Sequence, residues 1–354
     1  MKDKRILVRR LLVLIVLLVV TCSGYAAESH PKNIILIIGD GMGIGAITAA
    51  RCADPGESGT LTLDAMPVTG FAKTHPEKVL VTDSAAAGTA LATGHKTENG
   101  RIAVDANGKD LRTILELAND LEKSTAVITT DSLTGATPAA FCAHVPSRDM
   151  QDAIAEQLIA SKITVAMGSG RELLVPRLTA QAKQNGFDLA LDAKAMEASH
   201  GQRLLGLFSF DTDGPTLAAM LEKTTSVLSA DPDGFFMMAE SCLPDKGGHG
   251  NNLAIVLKGV ADLEDALRSA LAFAAKSNDT LVVVTADHDT GGLAVLDRNG
   301  DTPLLTPGWV GGGHTGNMVA VYASGPGAER FSGTHDNTDI PKIFAALWGK
   351  TLGQ

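Results

Sequence analysis

Short apolar runs with almost no polar interruption recur along this chain of 354 residues and constrain its fold more than any other feature. The runs cover Asn33 to Ile38, Ala126 to Thr130, Ile163 to Met167, Phe235 to Met238, Leu281 to Thr285 and Met318 to Ala323. Such runs are typical of strands buried on both faces of a sheet. Between them apolar residues recur at helical spacing, most extensively from Leu253 to Ala275. We therefore predict an α/β fold, a three-layer sandwich with a mostly parallel central sheet covered by helices on both faces.

The first 27 residues differ in composition from the rest of the chain. A basic start, MKDKRILVRR, precedes the apolar run LLVLIVLLVV and the small-residue stretch TCSGYAA. This order is typical of a secretory signal, and the run is shorter than the roughly 20 residues of a membrane-spanning helix. We predict a signal peptide over 1–27, export to the periplasm or the extracellular space, and no membrane span after cleavage. Lipid attachment at Cys22 is a minor alternative, because Thr21 is larger than the residues that usually precede a lipidated cysteine.

The remaining chain, 28–354, shows no repeat, low-complexity stretch or long linker, and we predict a single domain. The formal charge of the whole 354-residue chain, −10, argues against a nucleic-acid partner, since phosphate backbones are bound by an excess of Lys and Arg. The scattered cysteines Cys52, Cys142 and Cys242 allow at most one disulfide, so the chain is not a disulfide-stabilised scaffold.

Polar side chains follow several of the predicted strands. Asp40 follows the first run, Glu240 follows FFMMA, Asp287 and His288 follow LVVVTA, and Ser84 follows VLVTD, which we interpret as another strand end. The carboxyl ends of parallel strands form the edge where α/β folds bind ligands, so these side chains are expected to converge.

Convergence of several carboxylates requires cations, because two like charges 4 Å apart repel by roughly 4 kcal/mol at an effective dielectric near 20. The histidines agree with this requirement: His249 follows Asp245 by four residues, and His314 lies in the glycine-rich GGGHTG. Mixed His and Asp ligands suit zinc, whereas oxygen-only sets suit magnesium.

Two readings of VTDSAAAGTALATG, Val81 to Gly94, follow from its residues alone. Ser84 could cap a helix, or it could be a nucleophile at a helix N-terminus, where unpaired N–H groups attract phosphate. A third pattern, Gly41-Met-Gly43-Ile-Gly-Ala46, matches a dinucleotide-binding fingerprint, but the loop-like RCADPGESGT that follows does not lead to a second strand. We instead interpret these glycines as room for the backbone beside Asp40.

Six ordered motifs resemble the alkaline phosphatase family: GDGMG, TDSAAAGTA, ATPAAFCAHVPSR, the Glu240, Asp245 and His249 spacing, TADH, and GGHTG. The resemblance runs from about Asn33 to the C-terminus and is weak over 179–231. It implies a zinc-dependent enzyme that hydrolyses phosphate monoesters of small molecules at alkaline pH through a phosphoserine on Ser84, with Arg148 binding the phosphoryl oxygens. It also implies two zinc ions and one magnesium. The implied ligand sets are Asp245, His249 and His314 for one zinc, Asp40, Asp287, His288 and Ser84 for the other, and Asp40, Thr137 and Glu240 for magnesium.

The chain departs from the family pattern near the magnesium ligands. Some members carry an acid or a histidine where this chain has Gly135, which makes the third metal uncertain. Lys246 matches a lysine that contacts phosphate through water in some members, and it is equally compatible with a solvated loop charge. The chain is also shorter than many members, so both a homodimer and a monomer are compatible with it.

Two other functions are compatible with this core. A phosphodiesterase of the same superfamily often has a threonine nucleophile and no matching arginine, so Ser84 and Arg148 argue against it. A non-catalytic metal-binding or phosphate-binding protein would be free to lose the nucleophile or a ligand, and none is missing here.

Overall fold

The computed structural model describes residues 30–53, 59–210, 214–298 and 305–352, with the backbone alone for 171–177. The predicted signal peptide over 1–27, which contains Cys22, lies outside them. The strands are β1 (Asn33–Gly39), β2 (Val68–Lys73), β3 (Ser124–Ser132), β4 (Val165–Ser169), β5 (Phe187–Ala190), β6 (Arg203–Phe208), β7 (Phe235–Ser241), β8 (Thr280–Ala286), β9 (Asp289–Thr290), β10 (Ala294–Arg298), β11 (Leu305–Gly308), β12 (His314–Thr315), β13 (Val319–Ser324) and β14 (Gly333–Asp336). The helices are α1 (Ile44–Ala53), α2 (Ser84–Thr93), α3 (Ile114–Asp120), α4 (Ala136–Cys142), α5 (Gln151–Ala160), α6 (Arg171–Gln184), α7 (Ala193–Ala198), α8 (Leu217–Leu228), α9 (Leu243–His249), α10 (Leu253–Ala274) and α11 (Asp339–Leu347).

Ten of the strands form one sheet in the order β14-β2-β13-β8-β1-β7-β3-β4-β6-β5. Seven consecutive strands, from β8 to β5, pair in parallel, and only β13 runs antiparallel to its neighbours β8 and β2. The predicted α/β fold with a mostly parallel central sheet is confirmed. The short pairs β9 with β12 and β10 with β11 lie outside this sheet.

The centre of the sheet consists of β1, β7 and β8, which are buried along their whole length. Helix α10 packs against these strands and contacts α1, α8 and α9, and a second set of helices contains α2, α3, α4 and α11. Strands with neighbours on both sides and helices on both faces have no face in contact with solvent. This explains why their sequences are apolar without interruption. Each such valine or isoleucine side chain contributes about 1.5–3 kcal/mol by its burial.

The prediction was wrong at two places. The run from Ile163 to Met167 forms a strand only from Val165, and the segment before Ser84 is an irregular loop rather than a strand. Val79 and Leu80 in this loop are 54% and 82% exposed, so the apolar sequence there does not indicate burial.

Four strands of the sheet were not predicted: β2, β5, β6 and β14. Alternate residues of β2 are exposed, and β14 is a short edge strand, so neither has the uninterrupted apolar run that was used as the signal. Strands β5 and β6 lie within the weakly matching segment 179–231, where they extend the sheet at its far edge.

Two further observations concern covalent and membrane features. Cys52, Cys142 and Cys242 are free thiols in the described part of the chain. Among the described residues, no helix is both long and apolar enough to cross a bilayer.

Candidate active site

Three acidic residues meet at the carboxyl edge of the sheet. Gly39 of β1 is in register with Ala286 of β8, and Ile38 with Glu240 of β7, so Asp40, Asp287 and Glu240 lie on adjacent strands. Their residues are 7%, 0% and 1% exposed. The predicted convergence of carboxylates from distant parts of the sequence is therefore present.

Ser84 is the first residue of α2 but does not cap it. The N-cap is Asp83, whose carboxylate accepts a hydrogen bond from the Ala86 N–H at 2.9 Å. The Ser84 hydroxyl is instead directed at the acidic edge, with Oγ 3.1 Å from His288 Nε2. Asp83 thus fulfils the capping role, which leaves the Ser84 hydroxyl free for chemistry.

Asp245, His249 and His314 form a first cluster of possible metal ligands. His249 Nδ1 lies 2.7 Å from the Gly312 carbonyl, and His314 Nδ1 lies 2.8 Å from the Thr82 carbonyl. Because a carbonyl only accepts, both Nδ1 atoms carry the proton, and each Nε2 has a lone pair that can bind a metal ion. The two Nε2 atoms are 3.2 Å apart and lie 3.4 and 3.5 Å from Asp245 Oδ1. Three ligand atoms this close suit a metal ion, as in zinc sites.

A second cluster surrounds His288, which is fully buried. Its Nε2 lies 3.4 Å from Asp40 Oδ1 and 3.2 Å from Asp287 Oδ2. The other Asp287 oxygen, Oδ1, accepts hydrogen bonds from the backbone N–H groups of Gly41 and His288 at 3.0 and 2.9 Å. Asp40 Oδ1 and Asp287 Oδ2 receive no hydrogen bond from any described residue. A buried carboxylate oxygen without a hydrogen-bond donor destabilises the fold unless a cation binds to it, so these two oxygens suit a metal site.

A third group of oxygen atoms surrounds Glu240. Glu240 accepts a hydrogen bond from the Thr129 hydroxyl, which stands opposite it on β3. The Thr137 hydroxyl, 1% exposed, lies close enough to Glu240 to lower the pKa of that carboxyl but makes no hydrogen bond within the described part of the chain. An oxygen-only set of this kind suits magnesium.

The pKa values show how unfavourable the clustered charges are. Burial, and then the charges of Asp287, Asp245 and Glu240, raise the pKa of Asp40 well above its usual value. Burial and then the charge of Asp131 raise the pKa of Glu240 to about 8. Bound cations reverse such shifts and keep the carboxylates ionised.

Asp83 also contacts Arg148, the predicted phosphate ligand. Arg148 Nη1 lies 3.2 Å from Asp83 Oδ2, and the same oxygen accepts from the Gly100 N–H at 2.9 Å. The Arg148 backbone N–H in turn donates to the Gly100 carbonyl at 2.7 Å. The arginine is therefore held beside the residue that precedes Ser84, through a contact across 65 residues that no sequence motif predicted.

Lys246 and Gly135 occupy the region where the chain departs from the family pattern. Lys246 Nζ donates to Asp131 Oδ1 at 2.8 Å, so its charge is paired with a carboxylate that the sequence did not single out. A Cβ atom added at Gly135 would lie 2.8 Å from the Ser132 carbonyl oxygen, so a larger residue there requires the loop to move.

The chain is similar to known proteins over most of its length. The alkaline phosphatase family profile matches residues 31–303 and 304–349. Alkaline phosphatase 4 of Bacillus subtilis (strain 168) is 33% identical over 90% of this chain and 88% of its own length, and the alkaline phosphatase of Escherichia coli (strain K12) is 33% identical over 91% and 87%. The alkaline phosphatase structure from the Antarctic bacterium TAB5 has a TM-score of 0.83 and 31% identity, covering 92% of this chain and 99% of that one. A mutant of the TAB5 enzyme is described with magnesium bound in its M3 site.

Proposed function

This chain belongs to the alkaline phosphatase family and is a metal-dependent hydrolase of phosphate monoesters, and on that premise we propose that it acts through a phosphoserine on Ser84. The position of the Ser84 hydroxyl, 3.1 Å from His288 Nε2 at the edge of two ligand clusters, carries this proposal. Asp83 caps the helix, so no structural role occupies the serine side chain.

The donor atoms support two zinc sites and one magnesium site. Zinc site 1 consists of Asp245, His249 and His314, and zinc site 2 consists of Asp40, Asp287, His288 and the Ser84 hydroxyl. The magnesium site consists of Asp40, Thr137 and Glu240. Unpartnered buried oxygens in zinc site 2 and the magnesium site, on Asp40, Asp287 and Thr137, support these assignments. When bound, such ions lower the pKa of an attacking oxygen and stabilise the charge on a departing one.

The protein residues then perform a double displacement. Ser84 Oγ loses its proton to solvent and forms a bond to phosphorus while the ester P–O bond breaks, and the departing oxygen takes a proton from solvent to leave as the alcohol. A water molecule then loses a proton to solvent as it attacks the phosphoserine, the bond to Ser84 Oγ breaks, Ser84 Oγ takes up a proton, and inorganic phosphate leaves. Throughout, the Arg148 guanidinium binds two phosphoryl oxygens, and Asp83 holds that guanidinium in place.

Arg148 also distinguishes the two candidate substrate classes. A monoester presents three free phosphoryl oxygens, so two can bind the guanidinium while a third faces the metal sites. Diester hydrolysis is therefore the weaker alternative. Lys246 Nζ is paired with Asp131, so we propose that Lys246 contacts phosphate indirectly, through water. The N-terminal composition supports export.

The test is hydrolysis of an aryl phosphate by the purified chain between pH 7 and 10, before and after chelation and after return of zinc and magnesium. Activity that disappears with the chelator and returns with zinc supports the zinc assignment. Rapid acid quenching during turnover of a radiolabelled phosphate ester should trap labelled protein in the wild type and none in Ser84→Ala. Labelled protein in that variant would place the intermediate on another residue.

A further inference from the structure

Thr290, which none of the sequence motifs includes, lies where three of them meet. It follows His288 by two residues and is 3% exposed. Its Oγ1 donates to Asp245 Oδ1 at 2.6 Å and lies 3.1 Å from His288 Nδ1. Its backbone pairs with His314 in the two-residue ribbon formed by β9 and β12. One residue thus contacts ligands of both zinc sites.

The direction of these hydrogen bonds follows from the atoms involved. Thr290 Oγ1 lies 2.6 Å from Asp245 Oδ1, and a carboxylate oxygen only accepts, so the hydroxyl is the donor in this hydrogen bond. The single hydroxyl proton of Thr290 is donated to Asp245, which leaves Oγ1 to accept from Nδ1–H of His288. This arrangement presents the Nε2 lone pair of His288 to Ser84 Oγ and Asp40.

Two glycines allow the close approach that this chain of hydrogen bonds needs. A Cβ atom at Gly41, where φ is +65°, would lie 2.6 Å from Thr290 Oγ1 and 2.7 Å from Asp245 Cα. A Cβ atom at Gly248 would lie 2.7 Å from the Thr290 carbonyl oxygen. The Thr290 N–H donates to the Gly41 carbonyl at 3.2 Å. Gly41 of GDGMG and Gly248 of DKGGH therefore make room for Thr290.

We propose that Thr290 is a positioning residue shared by the two zinc sites, whose hydroxyl orders His288 of one site and Asp245 of the other through one continuous hydrogen-bond chain. The inference rests on the proposed function, because it takes both residues as zinc ligands. Hydrogen-bond partners of metal ligands fix ring orientation and tautomer, and their loss typically lowers metal affinity by about 10- to 100-fold. A partner common to two sites affects both at once.

The first test compares zinc affinities of the full-length chain in competition with a chromophoric chelator. Thr290→Val replaces the hydroxyl with a methyl group of the same size, whereas Thr290→Ser keeps the hydroxyl. We expect Thr290→Val to weaken both zinc sites by about 10- to 100-fold and Thr290→Ser to stay within about threefold of the wild type. Thr224→Val is the matched control, because Thr224 is fully buried and its hydroxyl donates to the Met220 carbonyl within α8, away from the site.

The second test needs no variant. Nitrogen NMR of the metal-free wild type at pH 9 should show His288 protonated at Nδ1, as the bond to Thr290 requires. Protonation at Nε2 would overturn the inference.

The outcomes separate this inference from the proposed function. A wild type without two zinc sites removes the proposed function and this inference with it. Two intact sites in the wild type, with either affinity unchanged in Thr290→Val, remove only the role of Thr290. Equal losses in the serine and valine variants also overturn it, because packing of the methyl group rather than the hydroxyl would then be responsible.

Discussion

Asp83 combines a structural and a functional contact in one carboxylate, and its removal should affect stability and phosphate binding to different extents. Oδ1 accepts from the Ala86 N–H at the start of α2, and Oδ2 accepts from Gly100 and contacts Arg148 at 3.2 Å. Loss of a helix cap costs about 1 kcal/mol, and an unpaired backbone N–H costs about as much again. We therefore expect Asp83→Ala to lower the free energy of unfolding by roughly 2 kcal/mol.

Loss of the Asp83 carboxylate should also weaken phosphate binding, through Arg148. The Arg148 side chain is 39% exposed, so its ion pair with Asp83 contributes less than about 1 kcal/mol. Without it, the guanidinium is less well oriented, and inhibition by inorganic phosphate should weaken by up to about fivefold. Asp83→Asn should retain the cap through its amide oxygen, lose the ion pair, and therefore show most of the binding effect with less loss of stability.

Asp192 offers a matched control, because its carboxylate caps α7 by accepting from the Ala195 N–H at 2.7 Å and lies in the weakly matching segment. Asp192→Ala should cost about 1 kcal/mol of stability and leave phosphate inhibition unchanged. The assays are urea denaturation and the phosphate inhibition constant for aryl phosphate hydrolysis. Unchanged phosphate inhibition in both Asp83 variants would refute the positioning of Arg148 by this carboxylate.

Three further predictions follow from the site and its surroundings. Ser84→Ala should lower turnover by on the order of 10³-fold or more, as expected for loss of a nucleophile, while metal analysis finds most of the zinc retained. Loss of turnover and zinc together would mean that the serine is structural. His249→Ala should bind one zinc fewer than the wild type by the same analysis, and full occupancy would exclude it as a ligand. His144 Nε2 lies 2.9 Å from Glu116 Oε1. Burial lowers the pKa of His144, but the contact with Glu116 outweighs burial and the pKa is raised. The charged pair therefore stabilises the fold below about pH 6.5, and this stabilisation is lost as the pH rises through the raised pKa. Glu116→Gln, which keeps the capping box with Thr113, should therefore lower the urea midpoint at pH 6 more than at pH 9, and equal shifts at both values would exclude the charged pair.

Part of the site was accessible from the sequence because of where its residues stand. Asp40, Glu240 and Asp287 come at the ends of strands whose uninterrupted apolar sequence marks them as central, and such ends share one edge of a parallel sheet. The same reasoning failed for the loop before Ser84, because its valines and leucine are exposed although their sequence resembles that of a buried strand.

The edge of the sheet shows the same limit. Strand β2 pairs antiparallel with β13 and parallel with β14, and its sequence alternates between buried and exposed positions around Gly70. The close approach of two backbone carbonyls explains that glycine, since an added Cβ would lie 2.1 Å from the Phe331 oxygen and 2.8 Å from the Gly333 oxygen. Apolar periodicity reports burial, and strands near the edge of a sheet, such as β2, are only partly buried.

The sequence by itself determined the fold class, the family and the identity of the candidate ligands, because these depend on residue type, order and periodic burial. Tertiary structure alone decided which ring nitrogen of each candidate histidine ligand is available to bind a metal ion. The Nδ1 contacts of His249 and His314 with backbone carbonyls, and the Thr290 hydroxyl between His288 and Asp245, join residues that are up to 232 positions apart. Tautomers, caps and shared hydrogen bonds are set by distances of about 3 Å between such residues, and no local pattern in the chain encodes those distances.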